Sequence, residues 1–265
     1  MLDQLLTTII LGLIQGLAEW LPISSTAHLK LAETFLGLAA TPLLNLVFHL
    51  GTLTVIVFFF RKDVKNILVA LVHLDIQSEN GKLIRLIIIA TIPTAIIGLT
   101  YDLFLQNSLE IVPVIAVTFI IGATIVYSTK FAKEDVGGLS YKTAILMGAA
   151  QGFAIFPGLS RSGVTISIGL LLGLKRERAF KFSFLLSIPT ILGDFAVEAY
   201  SQRGVLSTYS LRLSNVIIGL VATGIVGYFA LRLISNVIRG KKFHYFAFYT
   251  WTLGIALLIW FFIFR

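Results

Sequence analysis

The sequence predicts an all-α polytopic membrane protein: six transmembrane helices plus two re-entrant helical hairpins, arranged as an inverted-topology repeat. Three observations carry this expectation. The chain is too apolar for water, its basic residues alternate between loops, and its second half repeats its first. Of 265 residues, 57% are hydrophobic and 13% charged, with a mean hydropathy of +0.93. Soluble domains carry about 25% charged residues, so the bilayer is the solvent that suits this composition.

A helix crossing the hydrocarbon core needs about 20 mostly apolar residues. The stretches 43–61, 83–103, 111–130, 180–199, 212–238 and 243–264 meet that requirement. The apolar N-terminus opens Met1-Leu2-Asp3 without a basic segment and runs into polar residues, so mature structure is expected there rather than a cleaved signal. The absence of cysteine excludes disulfides and thiolate chemistry and leaves the redox compartment open.

The net charge of +8 is not read as a nucleic-acid footprint, because basic residues of membrane proteins collect in cytoplasmic loops. Arg61, Lys62, Lys65, Lys82 and Arg85 mark the first such loop, and Lys130, Lys133 and Lys142 the second. Lys175, Arg176, Arg178 and Lys181 mark the third; Arg239, Lys241 and Lys242 mark the fourth. The intervening connections, 101–110 with no basic residue and 200–212 with Arg203 and Arg212, are expected outside.

For this pattern to hold, two further apolar regions, 2–38 and 140–174, must each return to the side they entered. Each is therefore expected to be a re-entrant hairpin, the first entering from outside and the second from the cytoplasm. Pro22 breaks the first, and Pro157 with Gly158 the second. Broken backbone at membrane depth survives only where protein or a wet cavity satisfies it, so the bends are where chemistry is sought.

An ungapped offset of 136 residues pairs Gly12 with Gly148, Gln15 with Gln151, Gly16 with Gly152 and Ala18 with Ala154. The same offset pairs Ser24 with Ser160, Gly37 with Gly173, Phe48 with Phe184 and Thr54 with Thr190. The single membrane domain, 1–265, thus divides into one repeat over about 1–135 and another over about 136–265. A hairpin plus three spans is an odd number of crossings, so the second copy enters upside down. In such proteins the site lies near the midplane, where the broken helices meet.

The first bend reads QGLAEWLPISSTAH from Gln15 to His28. Gln15 and Glu19 are four apart and share a helix face. A carboxylate, an imidazole and three hydroxyls, those of Ser24, Ser25 and Thr26, are costly in a membrane unless they pair or line a cavity. The plainer readings are a structural Glu19–His28 pair and serines that cap a helix. The second bend reads PGLSRSGVT from Pro157 to Thr165. A turn flexed by Gly158 that opens a helix presents free amides and the positive dipole end to an anion. Arg161 adds a charged fork suited to phosphate, and Ser160, Ser162 and Thr165 add hydroxyl donors. A plain Arg161–Glu19 ion pair between the bends is the alternative.

These two motifs together resemble the signature of the undecaprenyl-diphosphate phosphatase family, the bacitracin-resistance membrane phosphatases. The likeness extends along the chain and includes FSFLLSIPT at 182–190. The resemblance implies hydrolysis of a polyprenyl diphosphate to the monophosphate used in cell-envelope glycan assembly, in the plasma membrane, with the site opening to the external face. By the same resemblance Glu19, Ser25, His28 and Arg161 are catalytic. The phosphate is held by Ser24, Thr26, Gly158, Ser160, Arg161, Ser162 and Thr165. Gln15 and Glu19 match the family's paired acidic positions and are the expected ligands of a Mg²⁺ or Ca²⁺ ion, with one formal charge fewer because position 15 is Gln. The nucleophile is either Ser25, activated by His28, or His28 itself. The expected partners are the polyprenyl diphosphate, the lipid bilayer and, as an assembly, a homodimer.

Glu33, His49, Asp194 and Glu198 are read as packing or loop-anchoring residues. His73, Asp75, Gln77, Glu79 and Asn80 are read as a solvated connector, with 63–75 as an interfacial helix. The rival function is a flippase or transporter, since inverted repeats with broken helices also serve transport.

Overall fold

The computed structural model describes residues 4–104, 111–134, 138–201, 203 and 212–264, and among these there is helix and no strand. Among the described residues eleven α-helices follow one another. They are α1 (Gln4–Trp20), α2 (Ser25–Leu36), α3 (Pro42–Phe59), α4 (Arg61–Val72), α5 (Glu79–Phe104), α6 (Val112–Ser128), α7 (Tyr141–Phe153), α8 (Arg161–Leu171), α9 (Arg176–Ser201), α10 (Leu213–Arg239) and α11 (Phe246–Phe264). Short 3₁₀ turns at Thr129–Phe131 and Phe243–Tyr245 extend α6 and precede α11. Among the described residues six helical stretches are long and apolar enough to cross a membrane: Pro42–Phe59, Glu79–Tyr101, Val112–Phe131, Arg176–Ser201, Leu213–Arg239 and Phe243–Phe264. The protein is multi-pass. The connections expected outside fall mostly at 105–110 and 204–211, beyond the described residues.

Helix boundaries follow local chemistry. Thr41 caps α3 by accepting from the Leu44 amide, with Pro42 just inside the helix, and Ser140 caps α7 by accepting from Thr143. The connector reading holds for 73–78. The segment before it forms α4, which turns Leu68, Val69, Leu71 and Val72 outward beside Arg61, Lys62 and Lys65.

Three ion pairs tie the four basic loops to one another. Asp63 meets Lys181 at 2.5 Å, Glu134 meets Arg176 at 3.0 Å, and Glu177 meets Arg239 at 3.3 Å. All four loops therefore lie on one face of the molecule.

Packing is reciprocal between the halves. The short helix α1 lies against α10, and the short helix α7 lies against α5. Each contact is made by a Gly-x-x-x-Gly pair, Gly12 and Gly16 in α1 and Gly148 and Gly152 in α7, which lets backbones approach closely. A Cβ on Gly16 would sit 2.7 Å from the Thr223 carbonyl, and one on Gly148 would run into the carbonyl of Ala90. A threonine then crosses each contact the same way: Thr223 donates to the Gly12 carbonyl at 3.3 Å, and Thr94 to the Gly148 carbonyl at 2.7 Å. The other major contacts join α6 with α11, α3 with α10 and α3 with α9. At their centre the ends of α1 and the start of α8 meet.

Candidate active site

Both bends leave a helix N-terminus at this meeting point. Ser160 caps α8, its Oγ accepting from the Gly163 amide at 3.2 Å, and the amides of Arg161 and Ser162 donate to no acceptor. At the start of α2 the amides of Ser25, Thr26 and Ala27 are likewise free, while His28 N–H returns to the Ser24 carbonyl. Two positive helix ends with free donors thus converge, which suits an anion.

The bends are stitched to each other. The Gly158 amide donates to Ser24 Oγ at 3.1 Å, Ser160 Oγ donates to the Leu21 carbonyl at 3.2 Å, and Ser162 Oγ donates to the Trp20 carbonyl at 3.1 Å. Ser24 therefore does not cap α2, although it stands at the cap position. Its hydroxyl reaches across to the other half instead. Gly158 has φ +103, and a Cβ there would meet the Thr118 hydroxyl and the Ile115 carbonyl, so only glycine fits. Thr118 in turn hydrogen-bonds the Pro157 carbonyl. Thr165 back-bonds to the Arg161 carbonyl, and Thr26 is exposed without a partner.

Glu19 is the hub. Its side chain is 8% exposed, at the last turn of α1. One carboxylate oxygen pairs with the Arg161 guanidinium. The other accepts from Ser25 Oγ at 2.7 Å and from the Gln15 side-chain nitrogen at 3.1 Å. Trp20, tilted against Phe184 with ring centroids 5.6 Å apart and packed in the cluster that includes Phe60 and Phe180, fixes the turn that carries Glu19.

His28 stands apart from this hub. Its Nδ1–H donates to the Ser24 carbonyl at 2.7 Å; a carbonyl can only accept, so the neutral ring's free acceptor is Nε2. That nitrogen lies 2.8 Å from the Tyr249 hydroxyl on α11, with the rings 13° from parallel. Ser25 thus turns to Glu19 and not to His28, and Glu19 and His28 do not pair. The imidazole is oriented because its two nitrogens find a carbonyl and a phenol.

Sequence reasoning missed three groups that the fold brings in. Tyr249 lies 221 positions from His28, and no local signal connects them. Ser183 and Ser187 of α9 line a cleft with Glu19, Arg161 and Ser162. Their spacing of four on an apolar helix was the available signal. Further along α9, Glu198 faces His49 of α3 at 3.4 Å, and Asp194 interacts electrostatically with Arg161, His49 and Glu198. Among the described residues no group of three or more His, Asp or Glu forms a metal cluster.

With this geometry in hand, comparison with known proteins is decisive. The profile of the family described as bacitracin resistance protein BacA matches residues 8–256. The chain belongs to that family. It is 38% identical over 258 residues to an undecaprenyl-diphosphatase of Carboxydothermus hydrogenoformans, covering 95% of each chain. It is 36% identical to one from the archaeon Korarchaeum cryptofilum, over 96% of this chain and 98% of that one. A third, from Methanobrevibacter smithii, is 34% identical over 97% of both.

Proposed function

We propose that this protein hydrolyses a polyprenyl diphosphate of the undecaprenyl type to the monophosphate and inorganic phosphate, recycling a lipid carrier for cell-envelope glycan assembly. The observation that carries the reading is the double engagement of Glu19, which holds the Ser25 hydroxyl on one oxygen and Arg161 on the other. A carboxylate at hydrogen-bond distance is placed to take the serine proton as Oγ attacks the terminal phosphorus. The bond from that phosphorus to the bridging oxygen breaks, and the lipid monophosphate leaves with the electron pair. Glu19 passes the serine proton to the departing monophosphate; water then attacks the phosphoserine, giving a proton to the regenerated Glu19 carboxylate, which returns it to Ser25 Oγ as phosphate departs.

Arg161 and the free amides at the starts of α2 and α8 stabilise charge on the non-bridging oxygens, which is most of what phosphoryl transfer requires. For this, Arg161 must exchange Glu19 for the incoming anion. His28, oriented by Ser24 and Tyr249, stands apart from Ser25 and takes no step in this scheme. The hydroxyls of Ser160, Ser162 and Ser24 serve the phosphate indirectly, by holding the two bends together, with Gly158, Thr165 and Thr26 completing the loop.

The side-by-side carboxylate of Glu19 and carboxamide of Gln15 suit a Mg²⁺ or Ca²⁺ ion that takes its remaining ligands from the diphosphate and water, with the Gln15 amide turned to present oxygen. Such an ion supplies neutralisation of diphosphate charge.

The membrane arrangement belongs to the same proposal. The pair α7–α8 starts and ends beside the basic loops, and its helices of 13 and 11 residues are too short to cross about 30 Å of hydrocarbon. This supports a re-entrant second hairpin in the plasma membrane, entered from the cytoplasm. The matched contacts of α1 and α7 support its inverted relation to the first hairpin, and a site that opens outward.

Purified protein in detergent, given a polyprenyl diphosphate and Mg²⁺ or Ca²⁺, is expected to release inorganic phosphate, and chelation to stop it. Absence of release with either ion sinks the hydrolase reading and leaves lipid transport as the better one.

A further inference from the structure

A narrow cleft lies beside Glu19 and Arg161, and its far wall is α9. Phe184 packs on Trp20 and so presses this stretch of α9 against the end of α1. Two hydroxyls on α9 face the cleft, and they are used differently. Ser187 donates to its own helix, to the Phe184 carbonyl at 2.7 Å. This back-bonding is what a serine in an apolar helix does by default, and Thr190 and Ser167 do the same. Ser183 does not. It is 2% exposed, it lines the cleft, and its hydroxyl makes no hydrogen bond among the described residues. A hydroxyl that makes no bond to its own helix and opens on a cleft is a donor free for a group that enters there.

The chemistry of the opposite wall says what that partner is. The Arg161 guanidinium and the free amides of Arg161 and Ser162 are all donors. A ligand that satisfies several donors from both walls at once is an anion with several oxygens. As it stands the cleft is spanned by the Arg161–Glu19 pair, so the ligand enters as that pair opens.

We propose that Ser183 is a further substrate-binding residue, whose hydroxyl donates to a non-bridging phosphoryl oxygen held from the other side by Arg161. The proposal rests on the hydrolase reading for its substrate but not for its ligand chemistry, which inorganic phosphate shares.

The test is Ser183→Ala. Removing this hydroxyl leaves the thermal unfolding midpoint unchanged, because no internal bond is lost. The same change raises KM for the polyprenyl diphosphate about tenfold, the scale of one hydrogen bond to a charged group. The inhibition constant of inorganic phosphate, and its dissociation constant by calorimetry, rise in parallel. A lowered midpoint with KM unchanged makes the hydroxyl structural and overturns the proposal. So does a variant equal to wild type in KM and in phosphate affinity. If wild type hydrolyses no lipid, the phosphate titration still decides: weaker binding by the variant sustains the site, whereas no phosphate binding by wild type removes it. Ser183→Cys, which keeps the volume and a weak donor, is expected to fall between.

Discussion

The two bends perform the same mechanical task with opposite chemistry. Both stop a helix in mid-course, turn the chain and start a new helix, and at their hearts stand Ser24 and Ser160, which lie 136 residues apart. Ser160 has ordinary extended backbone and caps its own helix. Ser24 has φ 68 and ψ 103, a conformation a side chain rarely adopts, and leaves its helix uncapped. Its hydroxyl receives the Gly158 amide and its carbonyl holds His28. In the second bend the unusual backbone falls on Gly158, where no Cβ is strained. The relaxed bend carries the charged anchor, Arg161. The strained bend carries Glu19, Ser25 and His28, in keeping with the tendency of strain to collect where chemistry is done.

The sharpest way to break this division of labour is to remove the reacting groups of the first bend. Ser25→Ala and Glu19→Gln are each expected to lower kcat by about 10³-fold, the middle of the range for loss of a positioned nucleophile or base. Midpoints of thermal unfolding should change little for Ser25→Ala, because only one bond to Glu19 is lost. A phosphohistidine trapped in single-turnover experiments on Ser25→Ala would transfer the nucleophile to His28.

The second bend is expected to fail structurally instead. Gly158→Ala forces a methyl group against the Thr118 hydroxyl and 2.8 Å from the Ile115 carbonyl, at a positive φ. A destabilisation of about 2–3 kcal/mol is expected, read as a drop in denaturation midpoint together with loss of activity. A midpoint equal to wild type would mean that the turn relaxes freely.

The smallest effect separates strain from contact at Ser24. Ser24→Ala loses the bond from the Gly158 amide and keeps the strained backbone, whereas Ser24→Gly loses the same bond and relieves the strain. Glycine should therefore be the less harmful by about 1 kcal/mol. Equal midpoints for the two variants would show that the Ser24 backbone stores nothing.

How much was legible varied with the range of the interaction. The two bends stood out because Pro22, Pro157 and Gly158 interrupt apolar stretches, and α1, α2, α7 and α8 begin and end around them as expected. The ion pair of Arg161 with Glu19 was legible as an alternative, because an arginine and a glutamate in facing bends have few other partners. The base for Ser25 was not. On sequence alone His28, three residues on, competes with Glu19, six residues back; the turn between them decides, and that turn depends on bonds from Ser160 and Ser162 of the other half. Tyr249 and Ser183 were invisible as site residues, since each looks like an ordinary member of an apolar helix until its neighbours are known.

The sequence by itself determined the solvent, the spans, the face on which the basic loops gather and the places where helices must break. Those are properties summed along the chain, because partition into a bilayer depends on composition over about 20 residues and backbone breaks depend on single prolines and glycines. Only the tertiary structure decided that Glu19 holds Ser25, that Tyr249 holds His28 and that Ser183 is left facing the cleft. Inside an apolar medium every polar group must find a partner, but which partner is set by helices packed from opposite halves of the chain, and no local pattern records that choice.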